Sequence, residues 1–202
     1  MAGARISHRF HNLIEVFMMT ITTRIRHLLL LLFLGAMHAL SAAQDTGYAD
    51  ELKDFGVAPT DYPRTQGYGS PTPTSIPGAK VVSTQELVEM RKADPKPVIF
   101  VAYGAQGVIP GAIVAEGSGE GRLLGSDLEK FTNLLAKHTN GDKSRAVVFY
   151  CHGPKCWLSY NAALHAKAAG YTNVYWYRGG RDAWKAAGKK FKKPQEEAGG
   201  DD

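Results

Sequence analysis

From about residue 79 onward the chain alternates short β-branched and aromatic runs with segments of helical spacing. The apolar runs predict strands near Lys80 to Val82, Val98 to Ala102, Ala112 to Ala115, Ala146 to Cys151 and Val174 to Tyr177. Helical patterns predict α-helices near Thr84 to Lys92, Ser126 to His138, Trp157 to Ala169 and Arg181 to Ala187. Ser126 with Glu129 three residues on reads as a capping box, and Gly170 as the stop of the preceding helix. Ala146-Val147-Val148-Phe149-Tyr150 is continuously apolar rather than alternating, so it fits a strand covered on both faces in the middle of a sheet. Strands that alternate with helices predict an α/β fold: a parallel sheet of about five strands, helices on both faces, and chemistry in the loop after the fourth strand.

The pattern is different ahead of residue 79. Residues 44–78 contain Pro59, Pro63, Pro71, Pro73 and Pro77 among Gly, Thr, Asp and Tyr, which prevents a long regular element and predicts an extended or loosely attached arm. Before the arm, Leu28 to Leu40 is almost wholly apolar, follows Arg24 and Arg26, and ends in Ser41-Ala42-Ala43. This reads as a signal peptide over residues 1–43, with initiation at Met1, Met18 or Met19 and cleavage after Ala43. About 13 apolar residues make roughly 20 Å of helix, short of the ~30 Å hydrocarbon core, so no stable span is expected in the mature protein. The expected destination is the periplasm or the exterior. The domain proper is placed at 79–190, with a polar tail at 191–202.

Charge changes the picture little. The formal net charge is +5, but Arg5, Arg9, Arg24 and Arg26 against Glu15 put three of those charges in the leader. There is no aromatic-and-basic interleaving, zinc-finger spacing or recognition-helix pattern, so nucleic acid is not an expected partner. His138 and His165 sit on helices without ligand spacing, and neither a metal nor a cofactor is expected.

The stretch Tyr150-Cys151-His152-Gly153-Pro154-Lys155-Cys156-Trp157 carries the chemistry. A cysteine ends the central strand, a tight Gly-Pro loop follows, and an Ala-rich helix begins. A loop curling into a helix start points successive N–H groups into one concavity, where the helix dipole adds positive potential. That field favours thiolate over thiol at Cys151, and only the thiolate is a competent nucleophile. The site residues expected on this basis are Cys151 and Cys156 as reactive groups, with His152 and Lys155 adding charge and Gly153 and Pro154 shaping the turn.

This arrangement resembles the rhodanese family, in which the reactive cysteine ends a strand and opens a loop that cradles a sulfane-sulfur anion. Gly107-Val-Ile-Pro-Gly-Ala112 is similar to the family's His-Ile-Pro-Gly-Ala turn. The segment from Asn173 to Gly188, with Gly179-Gly180 and Ala183-Trp184, is similar to its closing strand, Gly-Gly turn and Ala-Trp helix. The resemblance covers roughly residues 79–190 and implies a sulfurtransferase. Cys151 would take the outer sulfur of thiosulfate or a persulfide, hold it as a persulfide under the N–H groups of His152 through Trp157, and pass it to a thiol acceptor. Cys156-Trp157 is further similar to a subgroup of exported rhodanese-like proteins with a Cys…Cys-Trp loop, some encoded beside quinoprotein dehydrogenase systems.

Three departures bear on activity. Lys155-Cys156-Trp157-Leu158-Ser159 stands where rhodanese loops end in Arg followed by Ser or Thr, and the loop is about two residues longer. Val101-Ala102-Tyr103 replaces the usual Asp-Val-Arg. Phosphatase relatives need a loop arginine to clamp phosphate, and this loop has none. Three rival readings stay open. Cys151 and Cys156, with four residues between them, could serve a dithiol redox protein with a periplasmic partner or form a structural disulfide, or the domain could be a silent binding module. Arg178 and Arg181 flank the Gly-Gly turn, where surface exposure is the more frequent outcome for arginine.

Overall fold

A computed structural model describes residues 48–104 and 107–194. The leader expected at 1–43 and residues 195–202 of the expected tail lie outside these. The described sheet has five strands, β1 (Lys80–Val81), β2 (Val98–Val101), β3 (Ile113–Val114), β4 (Val147–Tyr150) and β5 (Val174–Tyr177). Four helices accompany it, α1 (Thr84–Met90), α2 (Gly125–Thr139), α3 (Trp157–Ala168) and α4 (Gly180–Ala186). Every pairing is parallel and the spatial order is β1-β5-β4-β2-β3, which puts β4 at the centre as its apolar run predicts.

All four residues of β4 are buried, and they alternate between two cores. Val147 and Phe149 join Phe100, Trp176, Phe131 and Tyr160, so α2 and α3 cover one face. Val148 and Tyr150 join Val101, Tyr177, Leu87 and Trp184, so α1 and α4 cover the other. Phe149 and Phe100 stack with ring centroids 5.4 Å apart, and Trp176 meets Tyr160 edge-on at 5.1 Å. Trp176 and Trp184 are thus packing residues.

Several boundaries have identifiable causes. Helix α3 closes in a Schellman motif, with Tyr171 N–H donating to Ala166 O at 3.1 Å and Gly170 N–H to Lys167 O at 2.9 Å. The capping box, however, lies on α1: Ser83 accepts from Glu86 N–H at 3.2 Å while the Glu86 carboxylate accepts from Ser83 N–H at 2.7 Å. The one expected at Ser126 is not formed. Helix α2 starts at Gly125 after Leu124, whose side chain caps nothing, so Ser126 is already inside the first turn.

The arm departs from the loose attachment expected for it. Residues 48–79 contain no named helix or strand, yet their backbone is tied to the domain by side chains. Tyr160 Oη accepts from Thr60 N–H at 2.9 Å and donates to Thr60 O at 2.6 Å. Asn161 pairs with the backbone of Arg64 at 2.9 and 2.8 Å, and Glu51 accepts from the Thr84 hydroxyl at 2.8 Å. A proline-rich segment cannot satisfy its backbone groups in a ladder, so buried polar side chains satisfy them instead. The domain also runs past the boundary expected at 190, because Lys192 and Val108 exchange backbone hydrogen bonds at 2.7 and 2.9 Å and Phe191 packs on the second core. No described helix is long and apolar enough to cross a membrane.

Candidate active site

Strand register assembles the site. Val101, Tyr150 and Tyr177 are paired across β2, β4 and β5, so the residues that follow them, Ala102-Tyr103, Cys151 and Arg178, emerge side by side at the carboxyl edge. This is where open α/β sheets place their ligands. Tyr150, the last residue of β4, accepts the Ile109 N–H at 2.9 Å. Burial pushes its hydroxyl up to about 12, with Ile109 and Arg181 pulling the other way, so a neutral phenol precedes the cysteine. In Tyr177 burial raises the hydroxyl far above its ordinary range, and it shares a 2.6 Å hydrogen bond with Thr84.

Cys151 and Cys156 are joined by a disulfide, with Cα atoms 6.2 Å apart. Both are buried, at 1% and 6% exposure. The loop between them is pinned from three sides. Its start is held by α4, whose Arg181 and Asp182 N–H groups donate to Cys151 O at 3.0 Å and His152 O at 2.8 Å. Gly180 permits this approach, since its φ is +56° and a Cβ there would lie 2.5 Å from Cys151 O. The middle is held by Thr72, which donates to Pro154 O from its N–H at 3.0 Å and its hydroxyl at 2.7 Å. The end is held by the arm, because Trp157 donates its N–H to Tyr68 O and its indole N–H to Pro71 O, both at 2.9 Å.

These bonds divide the expected site residues. The N–H groups of His152, Gly153 and Lys155 make no hydrogen bond among the described residues. The Cys156 N–H is taken by Gly153 O at 3.0 Å and the Trp157 N–H by Tyr68, and Pro154 has no N–H to offer. The cradle expected from His152 through Trp157 therefore narrows to three amides. Trp157 itself is corrected from a substrate contact to a packing residue: it is 3% exposed, lies 4.9 Å from the Tyr160 ring and carries the Arg64 guanidinium over its face at 4.9 Å. An indole large enough to fill the gap between arm and helix gains more from that burial than from facing solvent.

His152 and Lys155 are exposed on the loop. The His152 ring meets Tyr103 edge-on at 5.2 Å, so the residue that departs from the usual Asp-Val-Arg lines the rim. Lys155 Nζ lies 5.9 Å from the centroid of Phe55, which Lys53 and Arg178 also approach, at 5.5 and 5.4 Å. A Cβ at Gly153 would be 2.5 Å from Asp182 Oδ2, so a carboxylate flanks the loop's first half. Among the described residues no cluster of three or more His, Cys, Asp or Glu is placed to hold a metal.

Arg178 is the residue that reasoning from the sequence misjudged. It is buried at 1% exposure and donates to Glu51 O and Lys53 O at 2.8 Å and to Thr72 Oγ1 and Thr72 O at 3.1 Å. It thus holds the arm residue that holds Pro154. Its position beside the Gly-Gly turn was the available signal, while its acceptors lie in the irregular arm. Arg181 is half-buried, donates to Gly107 O and lies 4.8 Å from the Phe191 ring.

The family profile of the rhodanese-like domain matches residues 80–187. The chain belongs to the rhodanese-like family. No curated protein sequence matches it. Among solved structures, this rhodanese-like chain is similar to a thiosulfate sulfurtransferase from Pseudomonas aeruginosa at 21% identity, covering 58% of this chain and 21% of that one, with a TM-score of 0.44. Wild-type EanB is similar at 23% identity, covering 60% and 33% with a TM-score of 0.46. The Rhodanese_3 like domain of an Anabaena protein is similar at 23% identity, covering 48% and 98% with a TM-score of 0.35. The chain thus spans between a fifth and a third of the length of the first two. Membership supports a sulfurtransferase-type function at the level of the family.

Proposed function

We propose that this chain moves sulfane sulfur from a donor to a thiol acceptor through a persulfide on Cys151. The observation that carries the reading is the position of Cys151 at the carboxyl end of the central strand, in a loop whose His152, Gly153 and Lys155 amides make no hydrogen bond among the described residues. In the reduced protein the Cys151 thiolate attacks the outer sulfur of the donor. A new S–S bond forms and the donor's remainder leaves with the electron pair, as sulfite from thiosulfate or as a thiolate from a persulfide. The acceptor thiolate then attacks the outer sulfur, and Cys151 departs as thiolate. Splitting the transfer in two is ordinary covalent catalysis, and the three amides would face the charge that develops.

Persulfide donors suit the site better than thiosulfate. The loop has no arginine, the donors of Arg178 are spent on carbonyls and Thr72, and Asp182 opposes a second negative charge. Loss of one charged donor to a developing anion typically costs on the order of 10²–10³ in rate. Reduced protein exposed to a persulfide donor should gain about one sulfur atom per chain on Cys151, as expected for one nucleophile. Cys151→Ser should abolish the adduct and Cys156→Ser should keep it. Mass spectrometry reads both, and absence of any adduct on verified reduced, folded protein would remove the sulfurtransferase reading. The disulfide favours a second reading, a dithiol redox protein with a thiol–disulfide exchange partner, and a reversible bond without sulfur uptake would select it.

A further inference from the structure

The disulfide changes what the loop can accept. A free Cys151 thiolate can take only a sulfur atom that is already at the sulfane level. A disulfide is two electrons more oxidised and can take a sulfur atom at the sulfide level. Building on the reading of Cys151 as sulfur carrier, we infer that the oxidised loop is itself a sulfur-accepting site whose substrate is hydrosulfide, which it converts into a persulfide on Cys151 with no sulfane donor present.

Burial selects the nucleophile. At 1% and 6% exposure, beneath a loop pinned by Thr72, Trp157 and the start of α4, the two cysteines are more open to a small nucleophile than to a protein-borne thiol. Hydrosulfide has a single heavy atom. It is also a monoanion, matching a rim where the Lys155 and Lys53 ammonium groups converge on Phe55 while Asp50, 3.3 Å from Lys53, and Asp182 oppose a larger negative charge.

The fold also distinguishes the two sulfurs. Cys156 is the N-cap of the twelve-residue α3, so a thiolate expelled there develops at the positive end of the helix. The better leaving group is the sulfur whose anion is better stabilised, which directs attack to the other one, Cys151. The product persulfide at Cys151 then opens the loop whose His152, Gly153 and Lys155 N–H groups make no hydrogen bond among the described residues.

The step balances within the protein. Hydrosulfide donates its electron pair to Cys151 Sγ and forms the outer S–S bond. The Cys151–Cys156 bond breaks, its pair leaves on Cys156 Sγ, and that thiolate takes up the proton carried by the incoming sulfur. One sulfide is oxidised, one disulfide is reduced, and the products are one persulfide and one thiol. A further cycle requires transfer of the outer sulfur and reoxidation by a disulfide-donating oxidant, whereas a single turnover requires neither.

The test is a single turnover of the full chain, oxidised and free of thiols by titration, mixed anaerobically with sodium sulfide, alkylated and mapped by mass spectrometry. The expected result is one alkylated persulfide on Cys151 and one alkylated thiol on Cys156, with complete loss of uptake in Cys156→Ser, which has no disulfide to break. An unchanged disulfide, two thiols without retained sulfur, or the persulfide on Cys156 would each overturn the inference. A parallel arm exposes reduced protein to a persulfide donor. Sulfur uptake there without reaction of the oxidised protein removes this inference alone, and the converse removes the sulfane-donor reading alone.

Discussion

Arg178, which is buried, and His165, which is half-buried, each couple one side chain to segments far away in sequence. The Arg178 guanidinium is held below its ordinary value by burial, with Asp54 and Asp50 pulling back, and all four of its hydrogen bonds go to Glu51, Lys53 and Thr72. Lysine cannot reproduce a planar fork, and each buried acceptor left unmet costs roughly 1–3 kcal/mol. Arg178→Lys should therefore cost about 3 kcal/mol in urea unfolding; a loss under about 0.5 kcal/mol, the range of ordinary surface changes, would mean that the arm is not anchored there. His165 Nε2 lies 2.8 Å from Glu120 O, and burial pushes the ring below its ordinary 6.5 while that hydrogen bond pulls it partly back. The folded state then binds the proton less tightly than the unfolded state. The stability this contributes is fully present above pH 6.5 and is lost as the pH falls below it towards the folded value. Thermal unfolding followed from neutral pH downward should show a steeper loss for the native protein than for His165→Gln, and parallel curves would refute the assignment.

At the scale of elements, the two serines read as caps separate cleanly. Ser83 and Glu86 satisfy each other's backbone amides at the start of α1, and Glu51 from the arm adds a bond to the Thr84 hydroxyl. Ser126 sits one residue inside α2, where its hydroxyl no longer faces the orphan amides, because the chain already turns helical at Gly125. Ser83→Ala should cost about 1 kcal/mol, whereas Ser126→Ala should stay within about 0.5 kcal/mol. Chemical denaturation of the two variants side by side checks this, and equal effects would mean that the cap assignments are wrong. Elements themselves were legible: β5 has the expected bounds, and the other strands and helices lie within two residues of theirs. Burial periodicity is a property of consecutive residues, whereas a cap depends on where the preceding loop delivers the chain.

On the scale of the whole molecule, the central place of β4 and the loop after it follow from short-range signals. A continuous apolar run can be buried on both faces only at the centre, and a cysteine at its end must then open onto the carboxyl edge. The arm is the counter-example. Its partner in one Arg178 hydrogen bond lies 127 positions away, and Thr72 meets Pro154 across 82. Proline-rich backbone has no period to announce its partners, so neither the docking of residues 48–79 nor the burial of Arg178 was written in any local pattern. The consequence reaches the loop itself. Tyr68 and Pro71 claim the two N–H groups of Trp157, Thr72 claims the carbonyl of Pro154, and the anion cradle shrinks to His152, Gly153 and Lys155. By itself the sequence determined the kinds and order of elements, the central strand and the pair of sulfurs, because periodicity and turn chemistry act between near neighbours. Only the tertiary structure decided which loop amides stay free, that the cysteines are bonded and that an arginine beside a Gly-Gly turn is buried, because those outcomes depend on hydrogen bonds between irregular segments brought together by folding.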